Sequence, residues 1–177
     1  AQLGMRMAEE EINKAGGVMG RPIEIVSEDS VNPATAATKA QRMLDQDGAT
    51  VLMGEISSAS AVTIMQVAER NKRLFMQIGA RSDALRGKNC NKYTFHVDIP
   101  NTVMVNAVGK ALQRDNMVNG KKFYTLTADY IFGHDLLKAA KAFFAANQAT
   151  LLGDELIATD VTDFSPYLLK VRQAKPD

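Results

Sequence analysis

The chain has 177 residues, 46% of them apolar and 23% charged, and its 21 Lys and Arg nearly balance its 20 Asp and Glu for a formal net charge of +1. That composition excludes a disordered chain, and without a run of like charge there is no electrostatic footprint for nucleic acid or an acidic membrane surface. No apolar stretch reaches the ~18 residues that a membrane helix needs, and no secretory signal pattern is read, as would also hold for a processed chain.

Gln2 to Ala15 reads as a helix, because Leu3, Met7, Ala8, Ile12 and Ala15 recur at three- and four-residue spacing before the stop Gly16-Gly17. Pro22 to Val26 is predicted as a short strand. Asn32-Pro33 supplies an N-cap and a first-turn proline for a second helix, which carries Ala36, Ala40, Met43 and Leu44 inward and stops at Gly48. Thr50 to Met53 is a brief all-apolar strand of the kind buried in parallel sheets. Ser58 to Asn71 is a third helix, and Leu74 to Gln77 the next strand. Short apolar strands alternating with helices of a dozen residues or more predict an α/β fold with a helix-covered parallel sheet.

A seam follows. Ser82 to Lys92 is polar and turn-rich, Tyr93 to His96 is extended, and Pro100-Asn101 opens a helix that runs to about Asp115. The alternation then restarts with a strand Lys122 to Thr127, a helix Gly133 to Ala146, a strand Leu151 to Ile157 and a helix Ser165 to Ala174. Two α/β units joined near Val97 to Pro100 are expected, residues 1–97 and 98–177. Domains commonly run ~100–150 residues, so neither unit has the length of a full one. The first lacks a strand before its first helix, and the second stops where another strand is due.

In open parallel sheets, ligands bind beyond the carboxyl ends of the strands, where loops lead into helix N-termini. Three such loops carry chemistry. Gly54 to Ser60 offers the Ser57 and Ser58 hydroxyls together with unpaired amides at the positive end of a helix, a cradle for a carboxylate or phosphate, although capping by either serine explains the same residues. Ile78 to Ser82 combines Gly79, which permits close backbone approach, with Arg81, which could reach an anion or lie in solvent. Thr127 to His134 places Asp129, Tyr130 and Phe132 at the corresponding end of the second unit, where aromatics could also serve as local core.

Enzyme signatures are missing: there is no GxSxG elbow and no Walker A loop, and Gly16 to Gly20 follows a helix instead of preceding one. His96 and His134 stand alone without metal-ligand spacing, so no metal or cofactor is expected and each histidine suits a hydrogen-bonded structural role. The single cysteine, Cys90, excludes an internal disulfide and leaves a free thiol or a bridge to a cysteine outside the chain.

Taken in order, Glu11 to Val26, Asp29 to Pro33, Gly54 to Ser60, Gly79-Ala80, Tyr93 to Phe95, Asp129 to Gly133 and Thr162 to Ser165 resemble the branched-chain amino-acid-type (leucine/isoleucine/valine-binding) substrate-binding proteins of ABC importers, across essentially the whole chain. The resemblance implies the type I periplasmic-binding fold, with two doubly wound lobes that close on a ligand and dock on a membrane permease. Both lobes would be incomplete in this chain, which would then be part of a longer protein. It also implies a monomeric, periplasmic or lipid-anchored extracytoplasmic receptor with no catalytic residue and no cofactor.

Carried over by position, Ser58 matches the residue that holds the ligand carboxylate, with Ile56 and Ser57 beside it. Ala80 matches a backbone carbonyl that meets the ligand amino group, and Phe132 an aromatic that packs over the ligand with Tyr130 and Asp129 as neighbours. Gly79 completes the second loop. Arg81 stands where the family pattern has a hydroxyl residue, and His96 where an arginine is common. The expected ligand is a small carboxylate, either an apolar amino acid or an aromatic acid. The alternatives are a ligand sensor on the same fold and a hydrolase using Ser57 or Ser58.

Overall fold

The computed structural model describes residues 2–177. Among the described residues six α-helices and five strands fall into two groups. The first group comprises α1 (Gln2–Lys14), α2 (Pro33–Asp45), β1 (Val51–Gly54), α3 (Ser58–Arg70), β2 (Leu74–Gln77) and β3 (Thr94–His96). The second comprises α4 (Asn101–Arg114), β4 (Lys122–Ala128), α5 (Ile131–Ala146), β5 (Thr150–Ile157) and α6 (Ser165–Ala174). The strands form a three-stranded sheet in the order β1-β2-β3 and a two-stranded sheet β4-β5, with every pairing parallel. A short connection, residues 97–100, carries the chain from β3 of the first group to α4 of the second.

The local signals act as their chemistry requires. The Asn32 side chain accepts from the Thr35 amide at 2.9 Å, with Pro33 in the first turn of α2. Asp163 accepts from the Ser165 amide at 2.9 Å and steadies the start of α6. Leu52 and Phe75 bury one face of the first sheet against Ala61, Met65 and Ala68 of α3, and α2 packs over α3 through Ala40. In the second unit α4 lies on α5, where Gly109 lets the Phe143 ring approach: a Cβ there would sit 2.3 Å from the ring. Phe123 and Phe144 stack with centroids 4.4 Å apart.

Pro22 to Val26 is not a strand. Its backbone is extended but meets no neighbouring strand among the described residues. Side chains of α1 satisfy it instead: Asn13 both donates to the Ile23 carbonyl (2.8 Å) and accepts from its amide (2.7 Å), and Glu9 accepts from the Ile25 amide at 2.9 Å. The face of the first sheet opposite α3 is also uncovered, with Val51, Met53 and Phe95 exposed, as are Leu3 and Met7 on the apolar stripe of α1. A doubly wound sheet covers both of its faces with helices, and the described residues cover one.

Candidate ligand-binding site

Register brings Gly54, Gln77 and His96 side by side at the carboxyl edge of the first sheet, so the loops that follow all three strands start from one line. Backbone bonds from the Ile78 amide to the Gly54 carbonyl (3.0 Å) and from the Val97 amide to the Gln77 carbonyl (2.9 Å) carry the pairing into those loops. The Gln77 amide group donates to the Glu55 carbonyl at 2.8 Å, and the Gly79 backbone lies against Glu55 and Ile56. The first two candidate loops are therefore in contact.

At the entrance to α3, Glu55 folds back so that one carboxylate oxygen accepts from the Ile56 and Ser57 amides, at 2.8 and 2.9 Å. Ser57 is the N-cap, its hydroxyl accepting from the Ser60 amide at 3.4 Å. Ser58 does something different: its hydroxyl oxygen accepts from the Ser82 amide of the second loop at 3.2 Å, which leaves its proton free to donate. Ser58, Ala80 and Ser82 have no exposed surface, whereas the Ile56 side chain points outward and is 76% exposed.

The second unit reaches this cluster through Asn101, the first residue of α4. Its amide donates to the Arg81 carbonyl at 2.9 Å, and its side-chain nitrogen to the Phe132 carbonyl at 2.8 Å. Phe132 and Tyr130 pack with ring centroids 5.8 Å apart, and burial pushes the Tyr130 phenol above its ordinary pKa. Gly133 is required at the first turn of α5, because a Cβ there would lie 1.9 Å from the Ala128 carbonyl oxygen. Asp129 turns away into an exposed contact with His134 at 2.7 Å. The structure thus gathers Ser58, Gly79, Ala80, Arg81 and Phe132, while Ile56 and Asp129 face outward.

Arg81 is engaged by the protein itself. Its Nε donates to Asp98 at 2.9 Å, and although burial pushes Asp98 upward, the Arg81 guanidinium and the Ile99 amide outweigh that and hold its carboxyl below the ordinary value. His96 is likewise fixed at both nitrogens: Arg86 Nε donates to Nδ1 at 2.8 Å, so the proton resides on Nε2, which donates to the Ala80 carbonyl at 2.6 Å. Burial, helped by the Arg86 charge, holds this imidazole below its usual pKa despite the Ala80 bond. Arg86 also donates to the carbonyls of His96 and Asp98.

Nothing in the sequence points to Arg86, Asp98 and Asn101, nor to Asp135, which accepts from the Ser82 hydroxyl and the Ala84 amide. Arg86, Asp98 and Asn101 lie around the seam between the units and Asp135 lies inside α5, one residue past the third loop, so none stands in a loop from a strand to a helix of one unit. Two buried acceptors beside the cluster, Gln77 Oε1 and Asn101 Oδ1, have no partner. A hollow of about 480 Å³ opens between α4 and α5, lined by Lys110, Lys138 and Phe143 among others; it reaches Asp135 but none of the residues singled out from the sequence. Among the described residues neither the Ser57 nor the Ser58 hydroxyl is bonded to an imidazole or carboxylate, and both nitrogens of His96 are engaged by Arg86 and the Ala80 carbonyl. Among the described residues no three His, Cys, Asp or Glu side chains converge on a metal position.

A family model described as periplasmic binding protein matches residues 1–177. The Leu/Ile/Val-binding protein homolog 4 of Brucella abortus is 27% identical over 180 residues, covering 94% of this chain and 42% of its own length. A crystal structure of a periplasmic binding protein from Burkholderia mallei is similar with TM-score 0.85 at 33% identity, over 96% of this chain and 44% of that one. The solute binding protein of an ABC transporter from Rhodopseudomonas palustris, in complex with 3,4-dihydroxy benzoic acid, is 26% identical with TM-score 0.82, over 94% of this chain and 45% of its own. The chain spans less than half the length of these relatives.

Proposed function

Because the chain belongs to the periplasmic binding protein family, we propose that it is the ligand-holding part of an extracytoplasmic solute receptor that delivers a small carboxylate to the permease of an ABC importer. The fold is the type I periplasmic-binding fold, present in part. Residues 1–97 contribute the first lobe and residues 98–177 the opening of the second, with residues 97–100 as the hinge. The protein works as a periplasmic monomer, without a catalytic step or cofactor.

The observation that carries this reading is the convergence at Ser58. A hydroxyl with a free proton sits at the N-terminus of a 13-residue helix, a position that favours an anion. Asn101 links Phe132 to the loop after β2, its side chain donating to the Phe132 carbonyl and its own amide to the Arg81 carbonyl. Since Ser58 and Ala80 are fully buried in this arrangement, the lobes must part to admit a ligand and close again around it. Closure driven by contacts that exist only in the closed state is what a permease can sense.

Titration calorimetry on the full-length protein with amino acids, benzoate-type acids, neutral amides and sugars tests the reading. Binding of at least one small carboxylate is expected. Binding confined to neutral amides or sugars would sink it.

A further inference from the structure

Hydrogen bonds place a carboxylate of the second unit beside the candidate anion position of the first. The Ser58 hydroxyl oxygen accepts from the Ser82 amide at 3.2 Å, and the Ser82 hydroxyl in turn donates to Asp135 of α5. The same Asp135 oxygen accepts from the Ala84 amide at 3.2 Å, so two donors hold the carboxylate where it is. One residue, Ser82, therefore separates Asp135 from Ser58, and neither serine has exposed surface. A second carboxylate is close by: Glu55 accepts from the amide of Ser57, the residue before Ser58, at 2.9 Å. The arginines of the neighbouring loops are directed at the hinge strand and the segment after it, Arg81 donating to Asp98 and Arg86 to His96.

We propose that Asp135 is a specificity determinant that admits monocarboxylates to the Ser58 position and rejects dicarboxylates. The Ser58 hydroxyl and the amino end of α3 offset one negative charge. In a small dicarboxylate the second negative charge lies within a few ångströms of the first, and so within range of the fixed charge on Asp135. Burial of the serines keeps solvent screening weak here. At a separation of ~8 Å and an effective dielectric of ~20, one like-charge pair changes an affinity by about thirtyfold. Repulsion of this kind discriminates between ligands without adding a contact. It belongs to the assembled units, because Asp135 and Ser82 come from different ones, so the rejection acts as the lobes close.

This inference rests on the carboxylate-receptor reading, and matched pairs of ligands separate the two. Glutamine and glutamate form one pair, 4-carbamoylbenzoate and benzene-1,4-dicarboxylate the other; within each, an amide stands in place of the second carboxylate. All four are titrated into the full-length protein at neutral pH, beside leucine and benzoate. The amide member of at least one pair should bind about thirtyfold more tightly than its dicarboxylate. Asp135→Asn should cut that preference at least tenfold, whatever it does to affinity as a whole, and Asp135→Ser replaces it should it fail to fold. Asp135→Glu keeps the charge and should keep the preference. The preference within a pair is a readout that loss of packing alone would not move. Equal binding within each pair, or an unchanged preference in a folded variant without the charge, overturns the proposal while the receptor reading stands. So does binding of leucine or benzoate when none of the four binds, since size and not charge then excludes the second carboxylate. If no carboxylate binds at all, the receptor reading fails, and this inference with it.

Discussion

Asp135, in the second turn of α5, accepts the hydroxyl proton of Ser82, which lies in the loop after β2 of the other sheet and has no exposed surface. The same carboxylate oxygen takes the Ala84 amide at 3.2 Å. One side chain of the second unit thus completes two donors of the first. Nearby, Asp83 returns the contact by accepting from the Thr102 amide and hydroxyl, the latter at 2.9 Å. These bonds exist only when the two units are together.

Asp135→Asn should therefore weaken the closed arrangement. Hydrogen bonds to a charged group contribute about 1.5–3 kcal/mol, so ligand affinity in the full-length protein should fall by about tenfold or more. Calorimetry reads the affinity, and X-ray scattering of the ligand-saturated protein should show a larger radius of gyration for the variant.

Ser57 and Ser58 are adjacent but should respond differently. Ser57→Ala removes an N-cap and should cost about 1 kcal/mol of stability with ligand affinity kept. Ser58→Ala leaves the Ser82 amide without its acceptor, costing about 1–3 kcal/mol, and should abolish measurable ligand binding. Chemical denaturation and calorimetry on the same samples check both. Equal loss of binding in the two variants would assign both serines to the ligand.

Gly133→Ala places a methyl group 1.9 Å from the Ala128 carbonyl oxygen. The neighbour is backbone and cannot rotate aside, so a loss of about 1–3 kcal/mol or more is expected, seen as a lower denaturant midpoint. Gly109→Ala meets the Phe143 ring at 2.3 Å instead. A side chain can turn, so the smaller loss belongs there.

His96 gives stability a pH dependence of defined sign. Its folded pKa is held below 6.5 by burial and the Arg86 charge, against the Ala80 bond and the more distant Asp98 and Asp83. Between that lower value and 6.5 the unfolded chain binds more protons than the folded one. Stability from this group is complete above about pH 6.5 and declines as the pH falls through the window. His96→Gln should flatten the slope of melting temperature between pH 5 and 7, and an unchanged slope would assign it to other groups.

The elements themselves were largely legible in the sequence because their causes are local. The three- and four-residue spacing of Ala36, Ala40 and Leu44, the Asn32-Pro33 cap and the apolar run at Leu52 each act within one or two turns of chain, and α2 and β1 form where those signals lie. The three loops were legible for the same reason: parallel strands followed by helices point to their own carboxyl ends. Pro22 to Val26 shows where this stops. It has the composition of a strand, but a strand exists only when a second backbone lies beside it, and among the described residues none does.

Only the tertiary structure decided which functional groups remain available. In the sequence Arg81 and Ala80 are neighbours in one loop, with no sign of what else they meet. Folding brings Asp98 to the guanidinium and His96 to the carbonyl, across 17 and 16 residues of chain. Hydrogen-bonding capacity is finite and is allotted by proximity in space, which residue spacing does not encode. Ser58 keeps its proton because the donor that finds its oxygen is a backbone amide 24 residues away. The composition and length with which the chain opens establish only a folded chain, the alternation of short apolar strands and helices makes it α/β, and the allotment of those few donors and acceptors is decided by the tertiary structure.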